Sequence, residues 1–568
     1  MKIEIVRHSL SHILAYAVQG LYLGTKFGIG PAIENGFYYD FDLPKSLSAE
    51  DLPKIEKKMR ELIKKNILFL KEEVTKTEAK KIFKEQSYKL ELIEELKGKI
   101  TAYKSGDFAD LCAGPHVKTT KEIPLDGFKL TKVAGAYWRG SEKNKMLTRI
   151  YGLAFETKKE LDQYLKTIED AEKYDHRRIG KDLDLFSFYE EAPGFAFWHP
   201  KGMILRDALM KPYNELLKDA GHQMVSTPIL LPETLWRQSG HWDHYKDKMY
   251  FTKIDERVFA IKPMNCPGVV LIYKNRPRSY RDLPLRYAEF GEVHRHEPSG
   301  TLHGLFRVRA FRQDDAHIFA REDQIEKEIE NIIKLTLKFY KIFKFSDVSI
   351  ELSTRPEKSI GTDEMWETAE RVLKQTLEKL GLKFRINKGD GAFYGPKIDF
   401  HIKDSLSRSW QCATIQLDFS MPERFDLKYI DQDGKAKRPV MIHRTIIGAI
   451  QRFVGILIEH FGGAFPLWLA PEQIWVIPVG SRHEKYAKEV RLQLTIYNLR
   501  TEVKDENETV SKKIREGELQ KIPYLLVVGD KEMKAKSVRV RKRGKGDTGM
   551  MKLSKFTEKV KIELEKKK

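Results

Sequence analysis

The sequence predicts a multidomain α+β protein, and three observations carry that prediction. Its 568 residues would fill three or four domains at roughly 150 residues each. With 41% hydrophobic and 11% aromatic residues, the chain has enough apolar side chain for ordinary cores, which excludes wholesale disorder. Apolar residues recur at helical spacing in some stretches and at strand spacing in others. Lys+Arg 102 against Asp+Glu 82 leave a net charge of +20, which favours a large polyanionic partner.

Taken in chain order, the N-terminal MKIEIVRHSLSHILAYAVQG carries a glutamate and two histidines where a signal peptide needs an unbroken apolar run. No stretch approaches the ~20 apolar residues that span a bilayer, and the mean hydropathy is −0.49. Three cysteines, Cys112, Cys266 and Cys412, cannot frame a disulfide scaffold in so long a chain. These features point to a cytoplasmic protein with no membrane partner, and to metal or thiol chemistry.

From Ser48, a candidate N-cap, the run SAEDLPKIEKKMRELIKKN places Leu52, Ile55, Met59, Leu62 and Ile63 on one helical stripe. At Thr157 the run TKKELDQYLKTIEDAEKYDHRRIG opens with a capping-box pair, Thr157 and Glu160. It closes on His176, Arg177 and Arg178 and stops at Gly180, which predicts a single connector helix. The aromatic-rich stretch that follows reads as the main body. From Pro471, short strands (IWVIPV, YLLVV, SVRVR) intersperse with helical runs, as in a small α/β domain. The expected divisions are 1–156, a connector at 157–180, 181–470 and 471–568.

The string LRYAEFGEVHRHEPSGTLHGLFRVRAFRQDDAHIF reads as two antiparallel strands joined by a long turn. Arg295 and Glu297 fall at one rim, and Arg307, Phe311, Gln313, Asp315 and His317 on the return strand. Guanidinium forks beside an aromatic ring suit a nucleoside triphosphate; a solvated hairpin with ordinary ion pairs is the alternative. The string resembles motif 2 of the class II aminoacyl-tRNA synthetases, and FRVRAFRQDDAHIF is similar to the threonyl family in particular. HRTIIGAIQRFVGILIEHFGG resembles motif 3, with a half-buried helix presenting Arg452. KGMILRDALMKPYNELLKDAGHQMVSTPIL resembles motif 1, the dimer-forming helix and strand, with Pro228 as its proline. The resemblance implies a homodimeric threonine–tRNA ligase with a class II antiparallel-sheet catalytic core, an N-terminal α+β editing domain and a C-terminal α/β anticodon-binding domain. Its partners would be tRNA(Thr), L-threonine and ATP with Mg2+. Arg295 would take the α-phosphate, Glu297 and Phe311 the adenine, and Arg307 and Arg452 the remaining phosphates. Catalysis then rests on positioning and charge neutralisation, without a covalent nucleophile.

Cys266 in KPMNCPG, His317 in DDAHIF and His443 in MIHRTIIG lie too far apart for spacing to distinguish a metal site from structural residues. The resemblance matches them to the threonyl family's zinc ligands, one zinc per subunit. An open zinc that takes both an amino group and a hydroxyl rejects valine, which a hydrophobic pocket separates from threonine by only ~10²-fold. The resemblance further implies Asp315 as acceptor of the hydroxyl proton and Gln313 and Tyr394 near the amino group. Lys397, among the catalytic candidates, and Gln411, also matched to the ATP-binding positions, would line the same pocket, and His241 in SGHWDHY would move a proton during transfer. Cys412 matches no ligand and reads as packing.

His8 and His12 in HSLSH are one helical turn apart, and Cys112 and His116 in DLCAGPHV repeat that spacing. On spacing alone the quartet is a closed zinc site or a set of core histidines. HSLSH, NGFYYDF and DLCAGPH resemble the editing domain of bacterial-type threonyl synthetases, which works without metal on mischarged seryl-tRNA. That implies His8 and His12 activating a water, a pocket shaped by Lys89, Asp110, Cys112 and His116, and Tyr39 near the terminal adenosine. The family's frequent ubiquitin-like N-terminal domain has no counterpart before HSLSH. In the C-terminal domain Asn507, Arg515, Glu532 and Arg541 match anticodon-contacting positions and Lys521 stands at another where the family usually has arginine, the alternative being a charged solvated surface. Two rival functions are an RNA-binding regulator and a metal-dependent deacylase, both disfavoured by the intact arginines and zinc positions.

Overall fold

The computed structural model describes residues 2–345, 347–404 and 408–566. Its contacts divide the chain into two units, Met1–Asp170 and Ala171–Lys568.

In the first unit, the opening helix Ile3–Leu21 buries Val6, Leu10, Ile13, Leu14, Ala17 and Val18, one face at 3.6-residue spacing. It packs on an antiparallel sheet whose long strands are Gly36–Asp42, Met146–Ala154 and Phe128–Tyr137. The helix Leu52–Lys64 buries Leu52, Ile55, Met59, Leu62 and Ile63, the stripe read from sequence. Ser48 caps not this helix but the short turn Ala49–Asp51 that leads into it, accepting from the Glu50 N–H. A second antiparallel sheet, Leu70–Val74, Ile100–Ser105 and Phe108–Leu111, ends in the loop that carries Cys112 and His116. That loop turns at Gly114, at φ +75°, where an added Cβ would lie 2.3 Å from the Tyr103 hydroxyl.

The single connector helix predicted over 157–180 is instead two, Lys158–Lys173 and His176–Asp182. Asp175 starts the second: its carboxylate accepts from the Arg177 N–H, and a new N-cap makes a new helix. Gly180 sits buried within it rather than at its end, because a Cβ there would meet the Phe186 ring at 2.4 Å.

An eight-stranded sheet forms the body of the second unit. Its order is Gln223–Met224, Leu285–His294, Ala310–Ala320, Val440–Thr445, Ser409–Asp418, Lys397–Lys403, Val348–Ser353, Arg385–Asn387, antiparallel except at its two outermost pairs. Register determines the chemistry of its faces. His317 stands opposite His443, His443 opposite Gln416, and Gln416 opposite Lys397, in one cross-strand row. Period-two alternation then puts Phe311, Gln313, Asp315 and His317 on one face, while Ala316 and Ile318 enter the main core. Arg307, read as part of the return strand, lies in the connecting loop before Ala310. The helix Ile450–Phe461, read as half-buried, buries nine of its first ten residues, among them Gln451 and Glu459.

The C-terminal sheet runs Thr501–Val503, Ile474–Pro478, Tyr524–Val528, Ser537–Lys542, Gly546–Lys552. Its first three strands are parallel and the last two antiparallel. Among the described residues, no helix is long and apolar enough to cross a membrane.

Candidate active site

A cavity of about 330 Å³ opens on the polar face of the large sheet. Cys266 begins the helix Cys266–Tyr273, while His317 and His443 project from paired strands; candidate ligand atoms of all three lie within 4.8 Å of one another, and all three residues are buried. His443 donates through Nε2 to Asp418 Oδ2 at 2.9 Å, which fixes the ring. His317 Nδ1 is buried without a hydrogen-bond partner. Burial pushes the Cys266 thiol well above its ordinary pKa and the His317 imidazole well below. One sulfur and two imidazoles, with a buried nitrogen left unpaired, fit a zinc-like cation.

Asp315, whose carboxyl burial pushes up to about 6, accepts from Asn265 Nδ2 at 3.1 Å. Asn265 is a functional residue the sequence reading missed, although it adjoins Cys266 in KPMNCPG. Gln416 was also missed. It accepts from the Tyr394 hydroxyl at 2.5 Å and lines the cavity beside His443. His241 is fully buried behind the cysteine: its Nδ1 shares a hydrogen bond with Ser239 Oγ at 2.8 Å, and its Nε2 lies 3.6 Å from Cys266 Sγ. Burial, then the neighbouring His443 and Arg295, push its pKa down to about 3.

A second cavity of about 310 Å³ adjoins the first, and Arg295, Gln313 and Thr414 line both. Arg307, Arg452, Glu297 and Phe311 also line it. The Arg295 guanidinium lies 5.1 Å from the centre of the Phe311 ring. Glu297 accepts from Arg307 at 2.8 Å, leaving three guanidinium groups against one carboxylate, a wall suited to an anion. Lys397 and Gln411 do not share the Cys/His cavity as expected. Gln411 lines the second cavity and donates to Asp399 Oδ1 at 2.7 Å, while Lys397 is held by Asp399 at 2.9 Å and Asp390 at 3.0 Å.

The first unit holds a separate cluster. Cys112 Sγ is 3.3 Å from His8 Nε2 and 3.3 Å from His116 Nε2, and with His12 the quartet's candidate ligand atoms lie within 4.8 Å of each other. His116 is pushed down to about 2 by burial and by His12 and His8, and Cys112 up to about 11 by burial. Ser9, between the two histidines of HSLSH and also missed, shares a hydrogen bond with His116 Nδ1 at 3.2 Å and accepts from the Val117 N–H. Beneath the quartet, Lys89 pairs with Asp110, and His12 Nε2 lies 3.5 Å from the same carboxylate. Tyr39, expected near the terminal adenosine, is fully buried, donating to Asp110 Oδ2 at 2.6 Å. An aromatic residue in an inward-facing strand position has no free face for a base.

The five C-terminal positions differ in their surroundings. Arg541 lines a cavity of about 230 Å³ with Glu518 and Arg543. Glu532 spends its carboxylate capping Gly529 N–H at 3.0 Å. The Lys521 carbonyl accepts from Arg543, and Asn507 and Arg515 are exposed.

Three family models match the chain: the tRNA synthetase class II core domain (G, H, P, S and T) at 250–461, the anticodon binding domain at 473–563, and the threonyl and alanyl tRNA synthetase second additional domain at 100–151. The threonine–tRNA ligase of Carboxydothermus hydrogenoformans is 54% identical over 568 residues, covering 99% of this chain and 89% of that one. That of Acetivibrio thermocellus is 56% identical over 558 residues, 98% and 87%. A crystal structure described as the RNA binding domain of threonyl-tRNA synthetase from Cryptosporidium parvum Iowa II superposes with a TM-score of 0.66 at 40% identity, covering 68% of this chain and 98% of that one. With such identity across nearly its whole length, the chain belongs to the threonine–tRNA ligase family.

Proposed function

We propose that this chain activates L-threonine with ATP, passes it from the threonyl-adenylate to tRNA(Thr), and hydrolyses mischarged seryl-tRNA in its first unit. One observation carries the synthetic half: Arg295, Gln313 and Thr414 form a wall common to the Cys/His cavity and the arginine-lined cavity. A carboxylate seated in the first cavity therefore lies beside an α-phosphate seated in the second, and Arg295 can neutralise the charge that builds between them. Arg307 and Arg452 hold the outer phosphates of ATP, which arrives with Mg2+; Phe311 offers a face to the adenine, and Glu297 accepts from its amino group.

Cys266, His317 and His443 hold one zinc ion, which when bound supplies ligand positions that an amino group and a hydroxyl fill and a methyl cannot. Asp315, oriented by Asn265, accepts the substrate hydroxyl proton. Tyr394, Gln313 and Gln416 receive the amino group, and Lys397 with Gln411 braces Asp399 beneath the nucleotide. His241, neutral and in contact with Cys266, serves the transfer step. In the first unit His8 and His12 activate a water over Lys89, Asp110, Cys112 and His116, with Tyr39 bracing Asp110.

The remaining assignments rest on the same family reading. Residues 1–156 form the editing domain, 157–180 the connector, 181–470 the catalytic domain and 471–568 the anticodon-binding domain, where Asn507, Arg515, Lys521, Glu532 and Arg541 serve tRNA. The helix Pro200–Asp219 and the segment after it leave Ile204, Met224, Ile229 and Leu230 partly exposed, surface that a homodimer would cover. Free thiols at Cys112, Cys266 and Cys412 suit a cytoplasmic enzyme.

Threonine-dependent exchange of pyrophosphate into ATP is the decisive assay. Arg295→Ala and Arg452→Ala should each lower it by at least ~10²-fold, as loss of a charge-stabilising donor does. Exchange retained in both folded variants overturns the assignment.

A further inference from the structure

Asp175, His176 and Glu459 stand close enough together to hold a metal ion. His176 and Glu459, however, are already committed to hydrogen bonds. His176 is fully buried, and its Nδ1–H donates to Glu459 Oε1 at 2.6 Å while its backbone N–H donates to the same oxygen at 3.0 Å. The other Glu459 oxygen takes Arg408. With Nδ1 protonated by that pairing, Nε2 is left as an acceptor, and it receives the Leu305 backbone N–H at 2.9 Å.

Leu305 belongs to the irregular loop between the two central strands, which also carries Phe306 and Arg307 and walls the arginine-lined cavity. The Phe306 ring lies 4.1 Å from the His176 ring and 4.1 Å from Trp410, and its carbonyl accepts from Arg452 Nε at 3.0 Å. Gly304, at φ +48°, admits the contact, since a Cβ there would fall 2.2 Å from His176 Nε2. The helix Ile450–Phe461 thus grips this loop twice, directly through Arg452 and, two turns later, through Glu459 and His176.

We propose that His176 is a positioning residue for the nucleotide: its Nε2 holds the Leu305 amide so that Arg307 and Arg452 face the phosphates before ATP arrives. The inference rests on the reading of that cavity as the ATP site. A loop left free would have to be ordered by the ligand, and the cost would appear as weaker nucleotide binding.

The test is steady-state pyrophosphate exchange with three His176 variants. His176→Asn keeps a donor for Glu459 but has no atom at the Nε2 position, whereas the longer His176→Gln returns an acceptor to it. His176→Ala and His176→Asn should raise KM for ATP about 10-fold, the worth of one buried hydrogen bond, with KM for threonine within about 2-fold of wild type. His176→Gln should recover most of the loss, and Gly304→Ala should mimic His176→Ala by displacing the ring. An unchanged KM for ATP in the Ala and Asn variants overturns the proposal. So does a parallel rise of both KM values in all three, the mark of a merely structural histidine. If the wild type binds ATP but exchanges no pyrophosphate, the proposed function fails instead. Calorimetric ATP affinity then decides: weaker binding by His176→Asn supports the positioning role, and equal binding refutes it.

Discussion

Cys266 shows how much can depend on one sulfur. Burial raises its thiol pKa, so a thiolate at this position needs a nearby cation, and burial holds the neighbouring His317 below its ordinary pKa rather than letting it supply one. Cys266→Ser replaces a soft ligand with a poor one in nearly the same volume. It should lower bound zinc from about one per chain toward zero and abolish threonine activation, while leaving the circular dichroism spectrum unchanged. Metal analysis of the purified variant checks this; zinc retained at the wild-type level would place the ion elsewhere, the His8, His12, Cys112 and His116 quartet being a second Cys/His group among the described residues. The three candidate ligands are separated by long stretches of chain, so spacing could not pair them. Only the strand register that sets His317 opposite His443 does so, and only the family resemblance anticipated it. Asn265 escaped notice for a related reason, because its amide acts on Asp315 across a fold that local sequence does not reveal.

At the scale of elements, periodicity was legible and breaks in it were not. The stripe from Leu52 to Ile63 and the hairpin from Leu285 to Ala320 follow from side-chain spacing, which packing then reinforces. The connector's break at Asp175 was hidden because the same residue types serve a helix interior and a new N-cap. Arg307 was read into a strand because alternation continues past the strand's true start. The joint among these elements is Asp314, which is fully buried. It accepts from Arg444 Nη1 at 2.8 Å, from the Tyr213 hydroxyl, and from the Ile446 and Ile447 amides at 2.7 and 2.9 Å, tying the helix Pro200–Asp219 to two central strands and to the turn after Thr445. Arg444 is fully buried as well, with Nε and Nη2 unpartnered, so Asp314 supplies its main compensation. Asp314→Ala should destabilise the catalytic body by about 3–5 kcal/mol, as removing one member of a buried pair does. Thermal unfolding followed by calorimetry reads the change. A shift of under 2 °C in the catalytic transition would show that Arg444 finds another acceptor.

Across the whole molecule, the two candidate sites lie in different contact units, the Cys/His cavity in the second and the histidine quartet in the first. The proposed chemistry calls for such a division. A zinc that reads an amino group and a hydroxyl accepts serine's groups as readily as threonine's, and the missing methyl is worth only ~1–3 kcal/mol, too little for faithful charging. Correction therefore falls to a site that water can attack. Burial keeps His8 and His12 below the ordinary histidine pKa, so both remain neutral and able to accept a proton at pH values where a solvent-exposed histidine would already be protonated. The double variant His8→Ala/His12→Ala should form threonyl-tRNA at a rate within about 2-fold of wild type yet accumulate seryl-tRNA. Wild-type deacylation of purified seryl-tRNA should persist at pH 6, since a lowered pKa moves loss of the neutral base to more acidic solution. Equal deacylation by wild type and variant would make these histidines structural or metal-binding. Loss of charging together with deacylation would mean that the division between the units does not separate the two chemistries.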